Sequence, residues 1–145
     1  MSLQANLGLI DLVLLMALSI ALYFDLKEGR IPNKITVTAA IMGLIYRFMT
    51  GGVPGIQGGL LGALIGFLIL FIPFLFGGIG GGDVKLLTAI GAIKGAQFVL
   101  YTAAAMAIIG GIIGVYYYFF LRQRGVFFPY GVAIVIGAVF ALSFL

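Results

Sequence analysis

Long apolar runs separated by short polar connections dominate this chain. Six of these runs are candidate membrane helices: residues 7–24, 35–49, 58–76, 84–93, 98–121 and 130–145. A helix needs about 20 apolar residues to cross the hydrocarbon core of a bilayer. Because lipid gives an open backbone no hydrogen-bond partner, and because the runs lack the alternation of barrel strands, they predict α-helices. We therefore expect an all-α polytopic membrane protein, a bundle of about six transmembrane helices with a short fourth helix.

The composition supports a membrane location and excludes several kinds of chemistry. Hydrophobic residues make up 63% of the 145 residues and charged residues only 8%, against about 25% charged residues in soluble domains. No polar stretch is long enough for a separate soluble module, so we expect residues 1–145 to form a single transmembrane domain. The chain has no cysteine and no histidine, which removes thiolate chemistry and the commonest general base. Carboxylates, lysines, tyrosines or water must then transfer any protons.

The basic residues predict how the bundle is oriented. Residues 1–24 contain no Lys or Arg, which argues against a signal peptide and for a retained first helix. Six of the eight basic residues lie in or beside the connections that follow the first, third and fifth runs. The positive-inside rule places these connections in the cytoplasm. We therefore expect a multi-pass protein with both termini outside.

Two of the four acidic residues lie at the predicted cytoplasmic ends of helices. Asp25 follows the first run, and Asp83 precedes the fourth. The predicted topology brings them to similar depth at one face, although 58 positions separate them in the chain. Two carboxylates that lie close together tend to share one proton, so that one can act as a base and the other as an acid. The pair indicates a membrane-embedded aspartyl hydrolase; the structural alternative is a helix-capping or ion-paired role.

Glycines directly before Asp83 predict an irregular segment with a functional backbone. Each glycine weakens a helix by about 1 kcal/mol relative to alanine, so residues 77–82 are expected to form a loop. A backbone without side chains can accept an extended peptide main chain to main chain. Gly80 and Gly82 are therefore expected to shape a substrate site. Further glycines recur at intervals of four residues and predict close helix packing: positions 58, 62 and 66, positions 91 and 95, and positions 110 and 114.

Three segments of the chain resemble the motifs of the type IV prepilin peptidases. Gly80-Gly81-Gly82-Asp83, continued by Val-Lys-Leu, resembles the G-x-G-D motif of that family. Asp25 followed by Arg30-Ile31-Pro32-Asn33 is similar to the family's aspartate before an R-x-P-N segment. Residues 129–134 read Pro-Tyr-Gly-Val-Ala-Ile and resemble its P-Y-G-P-A-I segment, with valine in place of the second proline. The resemblance covers nearly the whole chain.

The resemblance implies an aspartic endopeptidase that removes the basic leader from type IV prepilins or prepilin-like proteins. It would act in the cell membrane of a prokaryote, with the active site facing the cytoplasm and Asp25 and Asp83 as the catalytic pair. The expected partners are a prepilin or pseudopilin substrate and the lipid bilayer, with no nucleic acid, metal or cofactor. The residues expected to bind substrate or shape the site, besides the two glycines, are Lys85, Arg30, Asn33, Pro129 and Tyr130.

Bifunctional members of the family carry an additional cytoplasmic segment with paired cysteines and also methylate the new amino terminus. This chain has a short connection after its first helix and no cysteine. The resemblance therefore implies a minimal, peptidase-only form without a cytosolic methyltransferase domain.

The residues alone also fit two other function classes. A small transporter would place acids and broken helices in a membrane, although it favours acids near the midplane. A metal-dependent membrane hydrolase would use Asp25, Asp83 and Glu28 as oxygen ligands. Asp11, in the outer part of the first helix, is interpreted as an interfacial or helix-pairing carboxylate rather than a third catalytic acid.

Overall fold

A computed structural model of the chain describes residues 8–28, 31–76, 81–116, 119 and 130–144, and this part contains no strand. Its helices are α1 (Leu9–Glu28), α2 (Asn33–Leu75), α3 (Gly81–Lys94), α4 (Ala96–Tyr116) and α5 (Tyr130–Phe144). By length and composition, α1, α2 and α4 are able to cross a membrane, and Gly131–Ser143 is a shorter apolar helix. The predicted all-α membrane fold is confirmed, whereas the count of six helices is not.

The long helix α2 contains a break at Gly52. The backbone there has φ 63° and ψ −144°, a conformation that glycine adopts without the steric cost of a Cβ atom. Beyond the break the chain folds back, and Arg47 Nε donates a hydrogen bond of 2.9 Å to the carbonyl oxygen of Gly55. The predicted second and third helices are thus two parts of α2. We call residues 33–51 its first arm and residues 53–75 its second arm.

Glycines bring the two arms of α2 and the helix α3 into close contact. A Cβ atom added at Gly59 would lie 2.9 Å from the Leu44 side chain, so the arms lie side by side. Gly62 and Gly91 face each other backbone to backbone across α2 and α3. Because lipid provides no hydrophobic force between helices, such close packing is a main source of their association. The predicted packing role of Gly62 and Gly91 is confirmed, but among the described residues nothing lies within 4 Å of a Cβ atom added at Gly114.

An ion pair joins α1 to α3 at one end of the bundle. Lys94, the last residue of α3, places its Nζ atom 2.6 Å from Oδ1 of Asp11, in the first turn of α1. Asp11 also accepts a hydrogen bond of 3.0 Å from the backbone N–H of Gly8, which caps the helix start. The two helices therefore run antiparallel. Asp11 pairs helices, as the sequence predicted, and we call this region the Lys94 end of the bundle.

The short helix α3 lies at the centre of the bundle. Its 14 residues extend about 21 Å, less than the roughly 30 Å of a hydrocarbon core. Residues on all sides of the helix are buried, and its contacts reach every other helix. The predicted short fourth helix is confirmed, and Asp83 stands in its first turn.

Candidate active site

Asp25 and Asp83 lie at one end of the bundle, opposite the Lys94 end. The ion pair sets α1 and α3 in antiparallel register. At 1.5 Å per residue, Asp25 lies about 21 Å beyond Asp11 along α1, and Asp83 lies about 17 Å from Lys94 along α3. The levels of the two carboxylates thus differ by about one helical turn. Both side chains are 4% exposed, so the fold buries both residues in the same layer.

Asp25 lies in the last turn of α1 and contacts the first turn of α5. A Cβ atom added at Gly131 would lie 2.5 Å from Oδ2 of Asp25 and 2.7 Å from its Cγ. The carboxyl group therefore packs directly on the α5 backbone, at the positive end of that helix dipole. Oδ2 is buried, and the backbone N–H of Gly131 is the polar group nearest to the carboxyl group that the described residues supply.

Asp83 is held by the contact between α3 and the segment that precedes α2. It is the third residue of α3, where the helix dipole favours an anionic side chain. The neighbouring Gly82 packs on the buried Ile31, and a Cβ atom added there would lie 3.2 Å from the Ile31 backbone nitrogen. Gly82 thereby allows the chain segments of the two aspartate motifs to approach each other.

The prediction that residues 77–82 form a loop is wrong for the last two of them. Gly81 and Gly82 form the first turn of α3. Intrinsic propensity is a weak preference that tertiary contacts override, and the packing of Gly82 on Ile31 is such a contact.

A hydrogen bond links the first turns of α2 and α3 near the aspartates. Lys85 Nζ donates to Oδ1 of Asn33 at 2.7 Å. Two of the predicted site residues, Lys85 and Asn33, therefore contact each other.

Four predicted site positions cannot be placed against the aspartates. They lie outside the described residues or, in one case, have only their backbone described: Arg30, Gly80, Pro129 and the side chain of Tyr130. The sequence interpretation in turn did not single out Gly131 and Ile31. Both lie inside segments that resemble family motifs, so the signal was available in the chain.

The metal-site alternative requires a third carboxylate beside the two aspartates. Its candidate, Glu28, is exposed at the end of α1. Across the described ranges, no group of three or more His, Cys, Asp or Glu residues is close enough to hold a metal ion.

Known proteins match most of this chain. The model of a family described as the type IV leader peptidase family matches residues 12–115. The chain belongs to this family. It is also similar to the prepilin leader peptidase/N-methyltransferase of Vibrio cholerae serotype O1, with 32% identity over 124 residues, 79% of this chain and 47% of the relative. The chain thus spans about half the length of that curated relative. No solved structure matches the chain significantly.

Family membership confirms the resemblance to this family, and two of the three motif segments lie within the matched residues. The family is one of proteases, and the apolar helices of this member are long enough for a membrane protein. The matched region, residues 12–115, contains Asp25 and Asp83, whereas the segment that includes Gly131 follows it.

Proposed function

We propose that this leader peptidase is an aspartic endopeptidase that removes the basic leader from prepilins or prepilin-like proteins at the cytoplasmic membrane face. The observation that carries the proposal is the burial of Asp25 and Asp83 in one layer of the bundle, in a chain of this family. The name of the curated relative supports prepilins as the substrate class.

The two aspartates provide the groups that peptide hydrolysis needs. The ionised carboxylate accepts a proton from a water molecule as that water attacks the scissile carbonyl carbon. The protonated partner donates a hydrogen bond to the carbonyl oxygen as negative charge develops there. The proton taken from the water then passes to the leaving amine, and the C–N bond breaks. The first turns of α3 and α5 beside the carboxyl groups favour the negative charge of the pair.

Charges at the same end of the bundle support the cytoplasmic orientation. Lys27, Lys34 and Lys85 are exposed near the aspartates, and positive residues favour the cytoplasmic side. A prepilin joins a basic cytoplasmic leader to an apolar membrane helix. The bond to be cut then lies at the depth of the aspartates.

We also propose that the chain carries peptidase activity without methyl transfer. Helix α1 ends at Glu28 and α2 begins at Asn33, so only residues 29–32 connect them. This connection contains no cysteine, unlike the additional segment that the resemblance gives to the bifunctional proteins. The new amino terminus of the product should accordingly remain unmethylated.

The proposal is tested with the purified chain in phospholipid vesicles and a prepilin-type polypeptide, a basic leader followed by about 20 apolar residues. We expect mass spectrometry to detect one cut at the leader junction, unaffected by a chelator, and no methylation when a methyl donor is added. Intact substrate would overturn the peptidase proposal. Loss of cleavage on chelation would support the metal hydrolase, and ion flux without cleavage would support the transporter.

Gly131→Ala is expected to reduce cleavage by about a hundredfold, because a displacement of about 1 Å in an active site has an effect of that size. The new methyl group would occupy the space of the Asp25 carboxyl group. The control is Gly137→Ala in the same helix, where the added atom meets the Thr102 carbonyl oxygen at 2.9 Å. Both variants strain the packing of α5, but only the first should lower the rate per folded molecule. Equal rates for the two would show that α5 does not position Asp25.

A further inference from the structure

An apolar groove lies between α1 and the first arm of α2. Its volume is about 360 Å³. Two small residues in its lining, Ala17 and Ala39, are buried, whereas the flexible side chains of Met16 and Met42 are exposed at its sides. The groove thus has a floor that lets another backbone approach and sides that adapt to different apolar shapes.

One end of this groove lies beside the first turn of α2, at about the level of the candidate active site. Lys34 is its one charged lining residue, and it follows Asn33, which binds Lys85 two residues after Asp83. The groove continues from Lys34 to Met42, about 12 Å along α2. A lysine at a helix end extends its ammonium group toward the membrane surface. The lining is therefore apolar at membrane depth and becomes polar at the level of the aspartates.

We infer that this groove binds the apolar helix that follows the scissile bond of the substrate, an inference that rests on the proposed function. The groove accommodates about two turns of a helix. Its alanine floor favours close helix contact, and its methionines tolerate substrates of different sequence. The change from apolar to polar at Lys34 coincides with the same change in a prepilin at its leader junction. A lipid tail requires neither an alanine floor nor a groove that ends at the level of the aspartates.

Because the groove recognises the apolar helix, filling it should slow the cleavage of substrates that carry a membrane helix. Cleavage of substrates without such a helix should not change. A helix-bearing substrate gains affinity from the groove, whereas a short peptide that spans only the junction reaches the aspartates without it. The ratio of kcat/KM for the two substrates therefore isolates the groove from the chemistry.

The first test replaces Thr38, an exposed residue in the groove lining, by phenylalanine. Thr38→Phe is expected to lower the kcat/KM ratio of helix-bearing substrate to short peptide at least tenfold. Val37→Phe is the control, since Val37 is the adjacent exposed residue of the same helix but does not line the groove. An unchanged ratio in Thr38→Phe would overturn the inference. Failure of the unmodified chain to cleave either substrate would instead overturn the proposed function.

The second test uses the absence of cysteine from the chain, which allows crosslinking from a single introduced site. Met42→Cys should form a disulfide with a cysteine in the apolar segment of a helix-bearing substrate. Ile108→Cys on α4, also exposed and outside the groove lining, should not. No crosslink from Met42→Cys above the Ile108→Cys background, with cleavage intact, would contradict helix binding and leave lipid as the occupant of the groove.

Discussion

Asp25→Asn and Asp83→Asn are each expected to lower leader cleavage at least a hundredfold, the lower range for loss of a general acid or base. Asparagine keeps the size of the side chain but neither accepts the proton of the attacking water nor delivers one to the leaving amine. Because the two carboxyl groups act as a unit, the double variant should be little slower than either single variant. The measurement is initial cleavage rate in vesicles, normalised to folded protein.

The matched control for these two variants is Glu28→Gln. Glu28 lies three residues after Asp25 but is exposed, so its neutralisation should leave the rate within about twofold, the scale of a surface charge worth less than about 1 kcal/mol. Thermal unfolding of each variant checks that the bundle is intact. A folded Asp25→Asn or Asp83→Asn protein that still cleaves at the normal rate would refute the aspartic mechanism.

Gly91→Ala is expected to destabilise the bundle by about 3 kcal/mol, the upper part of the usual range for overpacking. A Cβ atom at this position would collide with the backbone of Gly62. A clashing side chain could change rotamer to make room for the new methyl group. A clashing helix backbone can make room only if α2 and α3 move apart along their length. The same displacement would shift Asp83 on α3. We expect a lower unfolding midpoint in detergent and, in the remaining folded protein, slower cleavage.

Gly114→Ala is the control for this packing prediction. An added Cβ atom at Gly114 meets none of the described residues within 4 Å, so the stability of the variant should stay unchanged or rise by up to about 1 kcal/mol through helix propensity. If the Gly91→Ala and Gly114→Ala proteins have the same unfolding midpoint, the glycine contact between α2 and α3 does not stabilise the bundle.

The two glycine segments differ in how far sequence reasoning could describe them. The spacing of Gly58, Gly62 and Gly66 correctly predicted a packing face, because residues four apart share one side of a helix. The same spacing at Gly110 and Gly114 also predicted a packing face. At Gly114, however, no described residue lies within 4 Å of an added Cβ atom. Spacing indicates that a face permits close approach, but only the arrangement of neighbouring helices decides whether another backbone lies against it.

The candidate site shows a similar division. The motifs singled out Asp25 and Asp83, and charge counting placed them at one face. The contact of Asp25 with Gly131 and the bond between Lys85 and Asn33 joined residues that had been named separately or overlooked. These pairs are 106 and 52 positions apart in the chain, so local pattern alone does not reveal them.

By itself, the sequence determined the membrane environment, the helical class, the family and the two candidate catalytic aspartates. These properties follow from residue composition and from short motifs, both of which depend only on residues close together in the chain. Only the tertiary structure decided that α2 folds back at Gly52, that α1 and α3 meet at the Asp11–Lys94 pair, and that a groove opens between α1 and the first arm of α2. Each depends on the register between distant segments, which backbone contacts set only when the helices pack together.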